Sequence, residues 1–286
     1  MEDTTILERL AALYPQAKKT TLRDMVEAKR VRVAGAVVRS VKQKVAAGEK
    51  VEVADVGERG NGEQTLSDGL KLVHFDADII VVEKPAGLLT ATDAEERRPT
   101  AWRILSEFFR RQNHKNRVHL IHRLDRDASG LLVFARSREA YTSLKSQFFE
   151  HTITRQYEVL VHGKPMPPRG RLEHLLMEND KGIVHITPDA KKGKLAILDY
   201  EVLETRRAIS RLRCTLFTGR KHQIRVQLKV IGHAVCGDPV YGKADEPPGR
   251  LALHAAFLAL THPRTGKRVE FASPSPGSFA HLMRNG

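Results

Sequence analysis

Apolar residues fall at two different periods along this chain, and the change of period marks its organisation. Near the start, Ile6, Leu7, Leu10 and Leu13 of TILERLAAL recur at helical spacing. TTLRDMVEAKRVRVAGAVV reads as a helix running into two short strands that turn at Ala34-Gly35. From about Leu70 onward the pattern becomes strand-rich. LKLVHFDADIIVVEKP predicts two short strands around Asp76-Ala77-Asp78, stopped by Pro85. Residues 100–112 predict a helix carrying the single Trp, Trp102; residues 131–135 predict a buried strand and 137–150 a second helix. RQYEVLVHG and SRLRCTLFTG alternate as strands do, the latter with Leu212, Cys214 and Leu216 inward and Arg211 and Arg213 outward. HQIRVQLKVIG returns to helical spacing, with Ile224, Leu228 and Ile231 on one face and Gly232 as its stop. Hairpinned strands with a few helices packed against them predict an α+β domain.

Between the two regions, DVGERGNGEQTLSDG (residues 55–69) holds four glycines, several charges and no aromatic residue. Such a segment buries little and reads as a linker. No apolar strand runs into its GERGNG and no helix follows, so it is not a phosphate-binding loop. The expected division is a basic unit over residues 1–54, a linker over 55–69 and a larger domain over 70–286.

Charge narrows the class of partner. The 286 residues carry a formal net charge of +14, and residues 18–50 hold ten Lys or Arg against three Asp or Glu. An excess of this size points to a polyanion, with nucleic acid ahead of an anionic membrane. No apolar run approaches the roughly 20 residues that span a bilayer. The opening MEDTTILERL lacks the basic-then-apolar order of a signal peptide. Cys214 and Cys236 are the only cysteines, so neither a disulfide framework nor a thiolate metal site is expected, and the cytoplasm is the expected compartment. Thirteen histidines raise the question of a metal, but His119 and His122 have no further ligand at coordinating spacing, so none is expected.

The densest candidate chemistry lies in VHLIHRLDRDASGLLVFARS, where Arg123, Asp125, Arg126 and Asp127 sit between two apolar runs. One reading is an ordinary surface carboxylate paired with a neighbouring arginine. The other is that Asp125 is partly withdrawn from water and kept ionised by a guanidinium. That state suits a nucleophile at an electrophilic sugar carbon. The small residues Ala128-Ser129-Gly130 allow close approach there, and Asp127 is assigned a structural role. Residues 206–229 contain eight Lys or Arg and no acid, which reads as a phosphate-tracking surface rather than a solvated helix face. Within this run Arg225, flanked by Ile224 and Val226, points to a polar cavity. Tyr157 is either a core-edge aromatic or a platform on which an extruded base stacks.

Together these segments resemble the RluA-type pseudouridine synthases. HRLDRDASGLLVFA resembles the family's HRLDxxTSGLL motif, TRQYEVLVHG its tyrosine-bearing strand, and TGRKHQIRVQLKVIGHAVCGDPVYG its second signature. DIIVVEKPAGL and RLALHAAFLAL are similar to its opening motif and closing strand. Residues 20–54 resemble the small alpha-L RNA-binding domain. The resemblance implies a mixed, mainly antiparallel sheet with flanking helices, preceded by a small α/β RNA-binding domain. It implies isomerisation of uridine to pseudouridine in RNA, without cofactor or metal. Carried over residue by residue, Asp125 is the nucleophile or equivalent electrostatic catalyst, Arg225 its ion-pair partner and Tyr157 the base-stacking residue. Arg123, which fills the gap left by the flipped nucleotide, and Arg220, His222 and Gln223 are expected to contact substrate. The expected substrate is large-subunit ribosomal RNA ahead of transfer RNA, and the expected state a monomer. Ala128 replaces the family's usual Thr, and Ala34-Gly35 the commoner Asn-Gly. Two other readings compete: a non-catalytic RNA-binding or assembly factor, and hydrolysis of the glycosidic bond, which generally takes two carboxylates.

Overall fold

A reciprocal pair of hydrogen bonds starts the first helix. The Thr5 hydroxyl accepts from the Glu8 N–H at 3.3 Å, and the Glu8 carboxylate accepts from the Thr5 N–H at 2.8 Å. The computed structural model describes residues 4–15, 17, 19–27, 31–46, 48–53, 64–92, 98–111, 117–243 and 249–285. The chain divides into two units, Met1–Glu63 with His74–Ala77, and Gln64–Val73 with Asp78–Gly286. In the first, helices Ile6–Leu13 and Lys19–Glu27 accompany a three-stranded sheet of Val31–Val33, Ala36–Val37 and Val51–Val53. Ile6, Leu10, Leu22, Val26, Val31, Val33, Val38 and Val45 form its core. Ala34 and Gly35 both take positive φ, 48° and 81°, as the tight hairpin turn demands. Alanine in place of asparagine therefore leaves the turn intact, at a cost of about 1–2 kcal/mol for a β-carbon in the left-handed region.

The second unit is organised by one sheet. Its elements are β1 (Gln64–Thr65), β2 (Lys71–Phe75), β3 (Ile79–Lys84), α1 (Ala101–Arg111), β4 (His119–Leu120), β5 (Ser129–Ala135), α2 (Arg138–Phe149), β6 (Thr154–His162), β7 (Arg169–Glu178), β8 (Val184–Ile186), β9 (Lys194–Arg206), β10 (Ile209–Leu216), α3 (Gln223–Val230), β11 (Leu253–Thr261), β12 (Arg268–Ala272) and α4 (Gly277–Asn285). The strand order is β8-β7-β9-β10-β6-β11-β5-β3-β2-β1, with β12 paired to β11 and β4 to β5. Every pairing is antiparallel except β5 with β11, so the expectation of a mixed, mainly antiparallel sheet is met. The expected linker over 55–69 ends too late. Gln64 and Thr65 already pair with Leu72 and Lys71, because burial of Leu70 and the turn at Ser67–Gly69 bring the chain back on itself. Residues 54–63 lie outside the described residues.

Strand β5 is buried along its whole length, which explains the uninterrupted apolar run in its sequence. With β3, β11 and α2 it builds a core of Ile79, Val81, Leu131, Val133, Leu144, Leu258 and Leu260. Gly130 has a φ of 109°, and a β-carbon there would lie 2.3 Å from the Ala255 carbonyl oxygen. Only glycine lets β5 enter its parallel pairing with β11 at this point. Helix α3 departs from the expected one-sided pattern, since its residues 223–228 are all buried. Its polar members are accommodated by carbonyls: the Gln223 amide donates to Ile197, and the Gln227 amide to Leu172 and Ala196.

Candidate active site

Asp125 lies in the irregular segment between β4 and β5, and both flanks of that segment are pinned. On one side the Thr90 hydroxyl donates to the Leu124 carbonyl at 2.9 Å and accepts from the Leu124 N–H at 3.2 Å. On the other, Lys84 at the end of β3 has no exposed surface. Its Nζ lies 2.7–2.9 Å from the carbonyl oxygens of Pro85, Leu88, Arg126 and Ala128. Burial pushes the Lys84 ammonium down to about 7, with Asp125 and Asp127 opposing. Ala128 contributes only its carbonyl to this clamp, so the hydroxyl of the family's threonine is not needed for it. Leu124 and Ala128 are buried, and Asp125 between them keeps 23% of its side chain exposed.

The arginine expected beside Asp125 arrives from α3. Arg225 Nη1 donates to Asp125 Oδ2 at 3.1 Å, while Nε and Nη2 each donate at 2.7 Å to the two oxygens of Asp238. Asp238 is fully buried, and its Oδ1 also accepts from the Val240 and Tyr241 N–H groups at 2.9 Å. Burial alone would raise the Asp238 pKa, but Arg225 and the two backbone donors outweigh it and hold the carboxylate below its ordinary range. Burial likewise opposes the Arg225 charge, and its two carboxylate partners raise its pKa above the usual value. The Tyr241 ring lies 5.1 Å from the Arg225 guanidinium carbon. The guanidinium is thus gripped on one edge and offers one donor to Asp125. Asp125 Oδ1 makes no hydrogen bond among the described residues, which leaves one carboxylate oxygen available for chemistry.

Tyr157 is buried on β6, where its sheet neighbours are Cys214 on β10 and Ala255 on β11; Ala255 in turn pairs with Gly130, and Gly130 with Lys84. One row across the sheet therefore carries both the tyrosine and the anchor of the Asp125 segment. Burial raises the Tyr157 hydroxyl pKa; Arg155 opposes and Asp125 adds to the rise, so the phenol stays protonated at neutral pH.

The other expected contacts separate. Arg123 is exposed beside Asp125 and makes no ion pair among the described residues. Arg220 is exposed, with Nε donating to the Leu195 carbonyl at 2.9 Å. His222 is half-buried within hydrogen-bond distance of the Tyr241 hydroxyl, 2.9 Å, and burial lowers its pKa with Asp125 opposing. Gln223 does not present its amide to the cleft. Its Oε1 accepts from the Thr218 hydroxyl and the Arg220 N–H, at 2.8 and 3.0 Å, and braces the turn before α3. The basic run of residues 206–229 is also less free than its sequence suggests. Arg206, Arg211, Arg213 and Lys221 pair with Glu204, Glu158, Glu201 and Glu178, which neighbouring strands or the same strand supply. Arg126 and Asp127 pair with each other through two hydrogen bonds, in line with structural roles. Sequence reasoning passed over Asp238, Lys84 and Thr90.

Comparison with known proteins gives a consistent set of likenesses. A family model described as RNA pseudouridylate synthase matches residues 78–229. The ribosomal large subunit pseudouridine synthase D of Nitrosomonas europaea is 36% identical, over 97% of this chain and 83% of its own. The protein of the same name from Pseudomonas aeruginosa is 35% identical, over 97% and 90%. Among solved structures, human RNA pseudouridylate synthase domain containing 1 superposes with a TM-score of 0.60 at 25% identity, over 80% of this chain and 98% of that one.

Proposed function

The chain belongs to the RNA pseudouridylate synthases of the RluA type, and on that premise we propose that it isomerises uridine in large-subunit ribosomal RNA through Asp125. The isomerisation breaks the bond between ribose C1′ and uracil N1, turns the base and joins C1′ to C5. The C5 proton is released and N1 gains one, so the net composition of the RNA is unchanged. Asp125 acts at the ribose as nucleophile or electrostatic catalyst, Arg225 orients it, Tyr157 stacks on the flipped base and Arg123 fills the gap in the RNA. The observation that carries this reading is the single unbonded oxygen of a carboxylate whose other oxygen is fixed by Arg225. Hydrolysis fits less well, since Asp238 is fully buried and committed to Arg225, and Asp127 is paired with Arg126. The ribosomal substrate is carried from the names of the relatives above. The buried thiols of Cys214 and Cys236 suit a reducing cytoplasm, and a monomer is the state the family resemblance favours.

An unmodified large-subunit ribosomal RNA transcript, tritiated at uridine C5, tests the substrate. The protein should release tritium from it and not from a transfer RNA pool; release from transfer RNA alone would reassign the substrate.

The N-terminal unit supplies affinity rather than chemistry. Removing residues 1–54 should weaken binding to the transcript and leave turnover at saturating RNA unchanged. It should also flatten the salt dependence by roughly 0.9 of a log–log unit for each phosphate that the shortened chain no longer neutralises. Retained affinity and slope would show that this unit does not touch the RNA.

A further inference from the structure

Arg155 carries a charge that no carboxylate answers among the described residues. It lies on β6 two residues before Tyr157, so the two buried side chains share one face of the strand. Only 8% of Arg155 is exposed. Its guanidinium makes no ion pair and no hydrogen bond among the described residues, and Nε is wholly buried without a partner. Its contact is the Phe148 ring, whose centre is 5.1 Å from Cζ. Arginine keeps its proton at any pH the protein meets, so burial here has removed water from a cation without replacing it.

The surroundings add positive charge rather than cancel it. Lys145 donates to the Ile121 carbonyl at 3.2 Å and makes no ion pair among the described residues. Between these cations His122 stays neutral: burial first, then Arg155 and Lys145, push it down to about 3, and its Nε2 accepts from the Val133 N–H at 3.2 Å. The tip of the Arg155 guanidinium ends at the exposed Gly219, where a β-carbon would lie 2.8 Å from Nη1. Glycine thus keeps room for a charged end at the rim of the turn that leads into α3 and Arg225.

We propose that Arg155 is the receptor for one backbone phosphate of the RNA beside the Asp125–Tyr157 site, an assignment that rests on the isomerase reading above. A phosphodiester is the anion that every RNA substrate carries, and the two terminal nitrogens of a guanidinium match its oxygens. The isolation of the charge is then functional: the free protein holds an unanswered cation, and the substrate supplies its counter-charge.

Full-length Arg155→Gln and Arg155→Lys, bound to the large-subunit transcript over a range of KCl concentrations, test this. For Arg155→Gln the log–log salt slope should shrink by about 0.7–0.9, the value of one phosphate contact, and KM should rise more than kcat falls. Arg155→Lys should recover the slope. Because the charge has no partner in the free protein, the melting temperature of Arg155→Gln should equal or exceed that of the wild type. An unchanged slope for Arg155→Gln, or a reduced slope that Arg155→Lys fails to recover, overturns the assignment. Wild-type protein that releases no tritium from the same transcript overturns the isomerase reading and this assignment with it; wild-type protein that releases tritium beside an Arg155→Gln of unchanged slope overturns this assignment alone.

Discussion

Asp125→Asn should lower tritium release from C5-tritiated RNA by about 10⁴-fold or more, to background, while the protein stays folded and binds RNA. The two halves of that expectation have separate physical grounds. Asparagine keeps an oxygen that accepts from Arg225 Nη1 but loses the anionic oxygen that is free to act at the ribose. Folding is spared because Arg225 retains both bonds to Asp238, and Asp125 is partly open to water. The stability change should stay within about 1 kcal/mol, the range of a partly exposed ion pair. Single-turnover release, filter binding and urea unfolding on the same preparation separate chemistry, binding and stability. Equal release from both proteins would remove Asp125 from catalysis, whatever the other two measurements show. A non-catalytic assembly factor predicts no release from either protein. Of the two features that motivate that reading, the basic N-terminal unit and the Ala128 departure, the second weakens once Ala128 is seen to serve the Asp125 segment through its carbonyl.

The contact between Asp125 and Arg225, a hundred residues apart, was legible in two steps: each stands out locally as a charge against apolar flanks, and the family resemblance paired them. Most of the strands and α2 were legible for a similar reason, since period and flanking turns mark them locally. What escaped depends on partners that sequence distance conceals. The run over residues 206–229 reads as bare positive charge, yet Arg211, Arg213 and Lys221 meet acids on β6, β9 and β7, strands that only the sheet order brings near. Lys84 reads as the polar end of a strand before a proline. Its role depends on four carbonyls, two of them more than forty residues away. Gln223 sits in the strongest part of the motif resemblance and still turns its amide inward, because the turn before α3 has an N–H and a hydroxyl to satisfy. Alternation put Tyr157 on one strand face with Val159 and Val161, but gave no sign of Arg155 on that face as a charge without an ion pair among the described residues.

Asp238→Asn should cost about 3 kcal/mol of stability and reduce kcat by roughly 10²-fold, although Asp238 lies wholly out of reach of RNA. In the wild type the two Asp238 oxygens fix one edge of the Arg225 guanidinium and the turn at Val240 and Tyr241 together. The asparagine amide places donors against donors, so Arg225 must turn or move, and the donor it aims at Asp125 moves too. An angular error of that kind is expensive at a reacting carboxylate. The double variant Arg225→Met/Asp238→Asn separates the effects. Removing the stranded guanidinium should restore about 1–2 kcal/mol of stability relative to Asp238→Asn, because a buried unpaired charge costs more than an apolar replacement. It should restore no activity, because Asp125 then has no fixed partner at all. Recovery of both together would mean that Asp238 supports catalysis only by keeping the protein folded; wild-type kcat in Asp238→Asn would mean that Arg225 needs no second carboxylate to aim it.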